Sequence, residues 1–168
     1  MNTLTESQLR DAFVNASKGE AKRAMIPDLD QVDFSRLDYF GWQDAKKPRH
    51  HYVALELDGE VAVLLLRGPE NPPAKKMLCA WCEDIVDGVH AASFVAPLAG
   101  ASGRRGNTVG TAICADFRCS RNVRREPSSS SFELRSEDPA LLAYHREQKI
   151  AGLQERSTAF VRTVIERS

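Results

Sequence analysis

Two pairs of cysteines are the residues in this chain best placed to do chemistry. Cys79 and Cys82 are separated by two residues and Cys114 and Cys119 by four, with 31 residues between the pairs and no cysteine left over. A two-residue gap lets the backbone turn so that both sulfurs face one ion, and Zn2+ favours four tetrahedral ligands and takes thiolates readily. Four thiolates would fill the shell of the ion. A catalytic zinc instead keeps one position open and usually includes histidine or carboxylate, so the spacing predicts a structural Zn2+ held by Cys79, Cys82, Cys114 and Cys119. The competing reading is a redox pair, since C-x-x-C also serves thiol exchange where it follows a strand and opens a helix. Here CAWC follows a Pro- and Lys-containing stretch and precedes the acidic EDIVDG, which fits that setting poorly. Thiol-based redox or metal sensing stays as an alternative function.

Around the second pair the charge is lopsided. Arg104, Arg105, Arg118, Arg121, Arg124 and Arg125 face a single Asp116 within residues 104–125, although the whole chain balances 23 basic against 23 acidic residues. Arginine suits planar carboxylate and phosphate groups, and partner contacts concentrate on loops such as GRRGNT. This predicts a docking surface for an acidic protein or for RNA, formed by Arg104, Arg105, Asn107, Thr108, Arg121 and Arg124; the alternative is a solvated helix face. Trp81, inside the first pair, is either an exposed aromatic anchor or a residue packed on the C-terminal helix. A single His90 without a second histidine on the following helix is too little for a metal-dependent nuclease site.

These residues must be held by some scaffold. At 168 residues and 18.6 kDa the chain is one domain's worth, long enough for a core without disulfides. The polar start, MNTLTESQLRDAF, lacks the form of a secretory signal, and no apolar run approaches the length of a membrane span. We therefore expect a cytoplasmic protein with no membrane partner and no small-molecule substrate. In that reducing compartment paired cysteines are metal ligands more often than disulfides.

HYVALEL and EVAVLLLR flank Asp58-Gly59, the strongest two-residue signal for a hairpin. The runs His90–Pro97 and TVGTAIC, joined by AGASGRRGN, form a second hairpin with a longer loop. Thr5-Glu6-Ser7-Gln8 opens a helix expected to run to about Lys18. The LDYFGW cluster, Leu37 to Trp42, reads as an irregular segment pinned by its aromatics. Cys114 to about Glu126 has helical composition, so the helix start would carry the second pair. Pro139 and the acidic residues before it open a C-terminal helix, with Leu141, Leu142, Ile150, Leu153, Phe160, Val161, Val164 and Ile165 at helical spacing. The expected fold class is α+β: an antiparallel sheet of two hairpins with a four-cysteine treble-clef zinc finger, flanked by N- and C-terminal helices. A single domain, 1–168, would divide into an N-terminal helix and aromatic segment (1–50), the hairpin and finger (51–126), a Ser-rich loop (127–135) and a C-terminal helical segment (136–168).

Taken together, LDYFGW, a hairpin, CAWC, and GNTVGTAICADFRC followed by an Arg-rich helix resemble the fibronectin-binding-protein-like treble-clef zinc-finger proteins. The best understood members of that family are the fusidic-acid-resistance proteins that bind elongation factor G. The resemblance implies a non-enzymatic adaptor that docks on elongation factor G or a related ribosomal partner, with the four cysteines as zinc ligands and residues 104–108 near the partner-facing surface. The roughly 50 residues before His51 are too few for the separate N-terminal helical bundle of the resistance proteins. The alternative of a different class is an RNA-binding zinc finger that contacts ribosomal RNA directly.

Overall fold

A computed structural model of the chain describes residues 1–71, 77–84, 90–125 and 138–167. The expected Ser-rich loop at 127–135 lies outside these residues, as do Ser136 and Glu137. Five antiparallel strands are hydrogen-bonded in sequence order: β1 (Phe40–Gln43), β2 (His50–Leu57), β3 (Glu60–Arg67), β4 (Ala91–Pro97) and β5 (Thr108–Cys114). The fold class is α+β as expected from the two hairpins, with one strand more than they supply.

The β2–β3 hairpin follows from its turn. Asp58 and Gly59 both have positive φ, 53° and 87°, the left-handed pair that matches the twist of two antiparallel strands. Its strands read as continuous apolar runs because both faces of the sheet are covered. Tyr52, Ala54, Val63 and Leu65 pack with Leu4, Leu9, Ala24 and Phe34 of the N-terminal segment. Val53, Leu55, Leu64 and Leu66 pack on the other face with Phe94, Ile113, the cysteines and Leu153, Val161 and Val164 of the C-terminal helix. The sheet is thus the middle of three layers, with the N-terminal segment on one side and the finger and last helix on the other.

The N-terminal helix is shorter than expected. α1 spans Glu6–Asp11 behind its Thr5 capping box, and a second helix, α2 (Lys18–Arg23), starts from a capping box on Ser17. Between them the chain leaves helical geometry to pair with β3: Val63 N–H donates to Ala12 O at 2.9 Å and Val14 N–H to Val63 O at 3.0 Å. Asn15 continues this role with its side chain. Its amide donates to the carbonyls of Leu65 (3.0 Å) and Pro97 (2.8 Å), and its oxygen accepts from Leu65 N–H at 2.8 Å. β3 and β4 diverge and share one pair, Arg67 with Val95, so Asn15 supplies the hydrogen bonds that the missing ladder would have made.

LDYFGW is also more regular than expected. Phe40, Gly41, Trp42 and Gln43 form edge strand β1 against Ala54, Val53, Tyr52 and His51. Its aromatics stack (Phe40 on Trp42 at 4.9 Å), and Trp42 Nε1–H donates to Met25 O at 2.9 Å. Asp44 closes the turn to β2 while buried, accepting from Tyr52 Oη at 2.8 Å and from the amides of Met25, Lys46 and Lys47. Gly41 is needed because a Cβ there would come within 2.4 Å of the Phe117 ring.

The AGASGRRGN connection holds a short helix, α3 (Gly100–Arg104), where a plain loop was expected. The C-terminal helix α5 (Pro139–Glu166) starts as predicted, with Asp138 capping Ala140 N–H and Pro139 in the first turn. Among the described residues no helix is long and apolar enough to cross a membrane.

Asn15→Ala would strand one amide and two carbonyls at the β3–β4 divergence, and unsatisfied buried groups cost about 1–3 kcal/mol each where water cannot reach them. We expect a loss of about 2–4 kcal/mol in denaturant-unfolding free energy. Asn15→Asp keeps the acceptor but turns a carboxylate oxygen toward the two carbonyls, and should lose at least as much as Asn15→Ala at neutral pH.

Candidate metal centre

Three local devices position the four cysteines. Cys79 and Cys82 lie in a tight turn: Glu83 N–H donates to Cys79 O at 2.8 Å, Cys82 N–H to Cys79 Sγ at 3.4 Å, and Glu83 takes a positive φ of 54° to finish it. The turn is fastened to the open edge of the sheet by Ala80 N–H donating to Ala112 O at 2.7 Å. Cys114 is the last residue of β5, not the first of a helix as its composition suggested. A turn follows, closed by Phe117 N–H to Cys114 O at 3.0 Å with Phe117 at φ 58°. Helix α4 (Cys119–Asn122) then begins on Cys119 itself. The extra residues of the C-x4-C spacing are therefore spent on the turn that seats the Phe117 ring between Phe94, His51 and Gly41.

All four sulfurs are buried, and all lie within 4.8 Å of one another. Cys79 and Cys119 Sγ are 3.6 Å apart, as are Cys82 and Cys114 Sγ. A tetrahedron with zinc–sulfur bonds of about 2.3 Å has edges of about 3.8 Å, so the cluster is already the size of a filled site. Four buried thiols this close cannot each ionise freely. Hydrogen bonds from Cys114 and Cys119 drive the Cys79 thiol far down, while Cys119, bonded to Cys114 and Cys79, is driven far up. A dication at the centre would remove that conflict by letting all four be thiolates.

The surroundings suit such an ion. Asn122 Nδ2–H reaches Cys114 Sγ at 3.4 Å and Cys82 Sγ at 4.0 Å, an outer contact of the kind that orients ligands and spreads their charge. The Tyr39 hydroxyl is buried without a hydrogen-bond partner among the described residues. Burial above all, then the charge of the nearby Cys119 sulfur, holds it well above the usual phenol range, leaving a protonated hydroxyl beside the cluster. Sequence reasoning missed both residues; only the Asn122 spacing, three beyond Cys119 on the same helix, offered a clue.

The candidate partner residues divide into two groups. Trp81 lies at 2% exposure with its ring against Tyr39 at 5.0 Å and Phe160 of α5 at 5.8 Å. It packs on the C-terminal helix and offers no anchor to a partner; its carbonyl also receives Arg156 Nε–H at 2.8 Å. Arg124 is likewise turned inward. It makes a two-pronged pair with the buried Asp38 carboxylate, which Gln154 of α5 also bonds at 2.9 Å. Burial alone would raise the Asp38 carboxyl, but the hydrogen bonds from Arg124 and Gln154 outweigh it and hold the group below the usual carboxylate range. Arg118 and Arg125 pair with Asp116 and Asp84. Arg104, Arg105 and Arg121 are exposed and have no ion pair among the described residues; Asn107 and Thr108 are exposed next to Arg105, at the start of β5, whereas Arg121 lies on α4 past the other end of that strand. Asn107 bonds Ser102 Oγ at 3.0 Å. His90 is exposed and stands apart from the cysteine cluster.

A knuckle, a hairpin and a helix that starts on the last cysteine make up the treble-clef order, and the sequence matches the family described as the FBP C-terminal treble-clef zinc-finger over residues 8–164. The chain belongs to that family. Four thiols of this geometry in a zinc-finger family identify the cofactor as Zn2+. Among solved structures it is similar to the fusidic acid resistance protein FusC, with a TM-score of 0.55 and 21% identity, covering 73% of this chain and 52% of that one. The present chain thus spans about half of FusC, and the likeness is one of fold. No curated protein matches the sequence.

Two outcomes test the centre. Purified protein should carry one zinc per chain with no thiol reactive until a chelator is added, and chelation should abolish the near-ultraviolet circular dichroism of Trp81. Structural zinc contributes on the order of 10 kcal/mol to folding, so metal-free protein that keeps its spectrum and forms a reversible disulfide would overturn the assignment. Asn122→Leu should weaken zinc in competition with a chromophoric chelator by about 10–100-fold while leaving the stoichiometry at one.

Proposed function

We propose that this protein is a non-enzymatic, cytoplasmic zinc-binding adaptor that docks on elongation factor G or a related ribosomal partner. Cys79, Cys82, Cys114 and Cys119 hold the ion, and the ion fixes the frame on which the docking surface is carried. That surface is the α3–β5 connection and the outer side of α4, comprising Arg104, Arg105, Asn107, Thr108 and Arg121. The observation that supports it is the contrast among the arginines: Arg118, Arg124 and Arg125 are ion-paired, whereas Arg104, Arg105 and Arg121 have no ion pair among the described residues. Exposed guanidinium groups on a rigid support suit acidic protein surfaces, and bidentate geometry adds orientation to the attraction.

Membership of the family and the likeness to a fusidic acid resistance protein favour a translation factor as the partner. No chemistry is asked of the metal, because four thiolates leave no open coordination position. Direct binding of ribosomal RNA is the second reading, favoured by the same arginines, and the two differ in their response to salt. Affinity that depends on phosphate contacts falls steeply with ionic strength.

The test is a pull-down from bacterial lysate, with and without nuclease. We expect elongation factor G to be retained after nuclease and to be lost on Arg104→Glu/Arg105→Glu, with zinc content unchanged. Recovery of RNA alone, or of nothing ribosomal, would sink the adaptor reading.

A further inference from the structure

β3 ends at Arg67, opposite Val95, and the β3 side of β4 beyond that pair is an opening that the zinc centre does not use. Ala112 O accepts from Ala80 N–H, which lies off the free edge of β5. In an antiparallel pair, opposite residues turn their backbone groups either toward each other or both away. Ala112 is opposite Ser93, Gly110 opposite Val95 and Thr108 opposite Pro97, so Ser93, Val95 and Pro97 aim their backbone groups at β3. Pro97 O meets the Asn15 amide there and Val95 meets Arg67. Ser93 is exposed and has no backbone partner on that side among the described residues.

Ser93 borders a cavity of about 850 Å³ lined also by Val95, Met77, Pro69, Arg49 and Arg67. Val95 is 39% exposed on its floor. Both arginines are exposed; Arg67 reaches His50 Nε2 at 3.4 Å and Glu20 at 4.0 Å, and Arg49 has no ion pair among the described residues.

We propose that this cleft binds an extended acidic peptide segment of a partner protein. The segment adds as a short strand to the Ser93 end of β4, donating to Ser93 O and accepting from Ser93 N–H. Its alternate side chains divide by the pleat: Asp or Glu side chains take the face that Arg67 shares with its register partner Val95, in the cleft that Arg49 also lines, and apolar ones take the opposite face, where Met77 packs against the core. Strand addition to an open edge gives affinity through the main chain and selectivity through alternate side chains. The site is on different residues from the Arg104 surface and does not rest on the elongation factor reading.

The probe is a fluorescein-labelled peptide of alternating glutamate and valine, followed by anisotropy on the zinc-loaded full chain. We expect saturable binding at low salt, weakened at least tenfold by N-methylation of alternate peptide amides or by exchange of glutamate for lysine. Arg49→Gln/Arg67→Gln should weaken it as much, while melting temperature and zinc content stay those of the parent. Free glutamate at the same carboxylate concentration should not compete. On the unaltered protein, the Ser93 amide should gain hydrogen-exchange protection on peptide addition. Binding that ignores N-methylation, competition by free glutamate, or unchanged protection at Ser93 would overturn the proposal, the first two by reducing it to an anion site.

Discussion

Four sulfurs held within 4.8 Å of one another in a buried space are a problem that the chain cannot solve with its own atoms. Burial penalises every thiolate, and each thiolate penalises the next, so the cluster needs a cation that the protein does not encode. Much of the finger is arranged around this need. The knuckle supplies two ligands from a turn, β5 delivers the third at its last residue, and α4 begins on the fourth. With the ion in place, a helix of four residues, too short to be stable alone, becomes a fixed support.

The outer layers lean on that support. Asp38, just before β1, is gripped by Arg124 beyond α4 and by Gln154 on α5, and its N–H donates to Ser120 Oγ at 2.9 Å. Three distant parts of the chain thus meet at one buried carboxylate. Arg156 adds a second fastening, bonding Trp81 O and pairing with Glu83 at 3.0 Å. Removing Arg124 would leave the buried Asp38 carboxylate short of its cationic partner, which is destabilising, so that pair sets register between the edge strand, the finger and the last helix as much as it adds stability.

What could be read in the sequence followed from features with a single physical interpretation. Asp58-Gly59 admits one turn class, and four cysteines in two close pairs admit few uses. The α5 start carried both an acidic cap and a proline. What could not be read depended on tertiary company. Residues 12–15 have helical spacing, yet the open side of β3 takes their hydrogen bonds, and no local pattern announces that. LDYFGW has no clean period because β1 is short and Gly41 is there for a ring 76 positions away. The arginines near the second pair look alike in sequence; only the placement of Asp38, Asp84 and Asp116 separates those that are ion-paired from those without an ion pair among the described residues. Trp81 offered two readings, and Phe160 and Tyr39 decided between them.

The seating of α5 over the knuckle bears on timing. All four cysteines precede α5 in the chain, so a ribosome releases the complete ligand set before it has made the helix whose Phe160 and Arg156 close over Trp81. An ion can therefore enter while the finger is still uncovered and be enclosed afterwards. Once α5 has docked, the rate of metal exchange is governed by how often that helix lets go, a local opening with its own free energy, and no longer by the strength of the zinc–sulfur bonds alone. Two proteins with the same four thiolates and different last helices would then hold zinc equally tightly and surrender it at very different speeds.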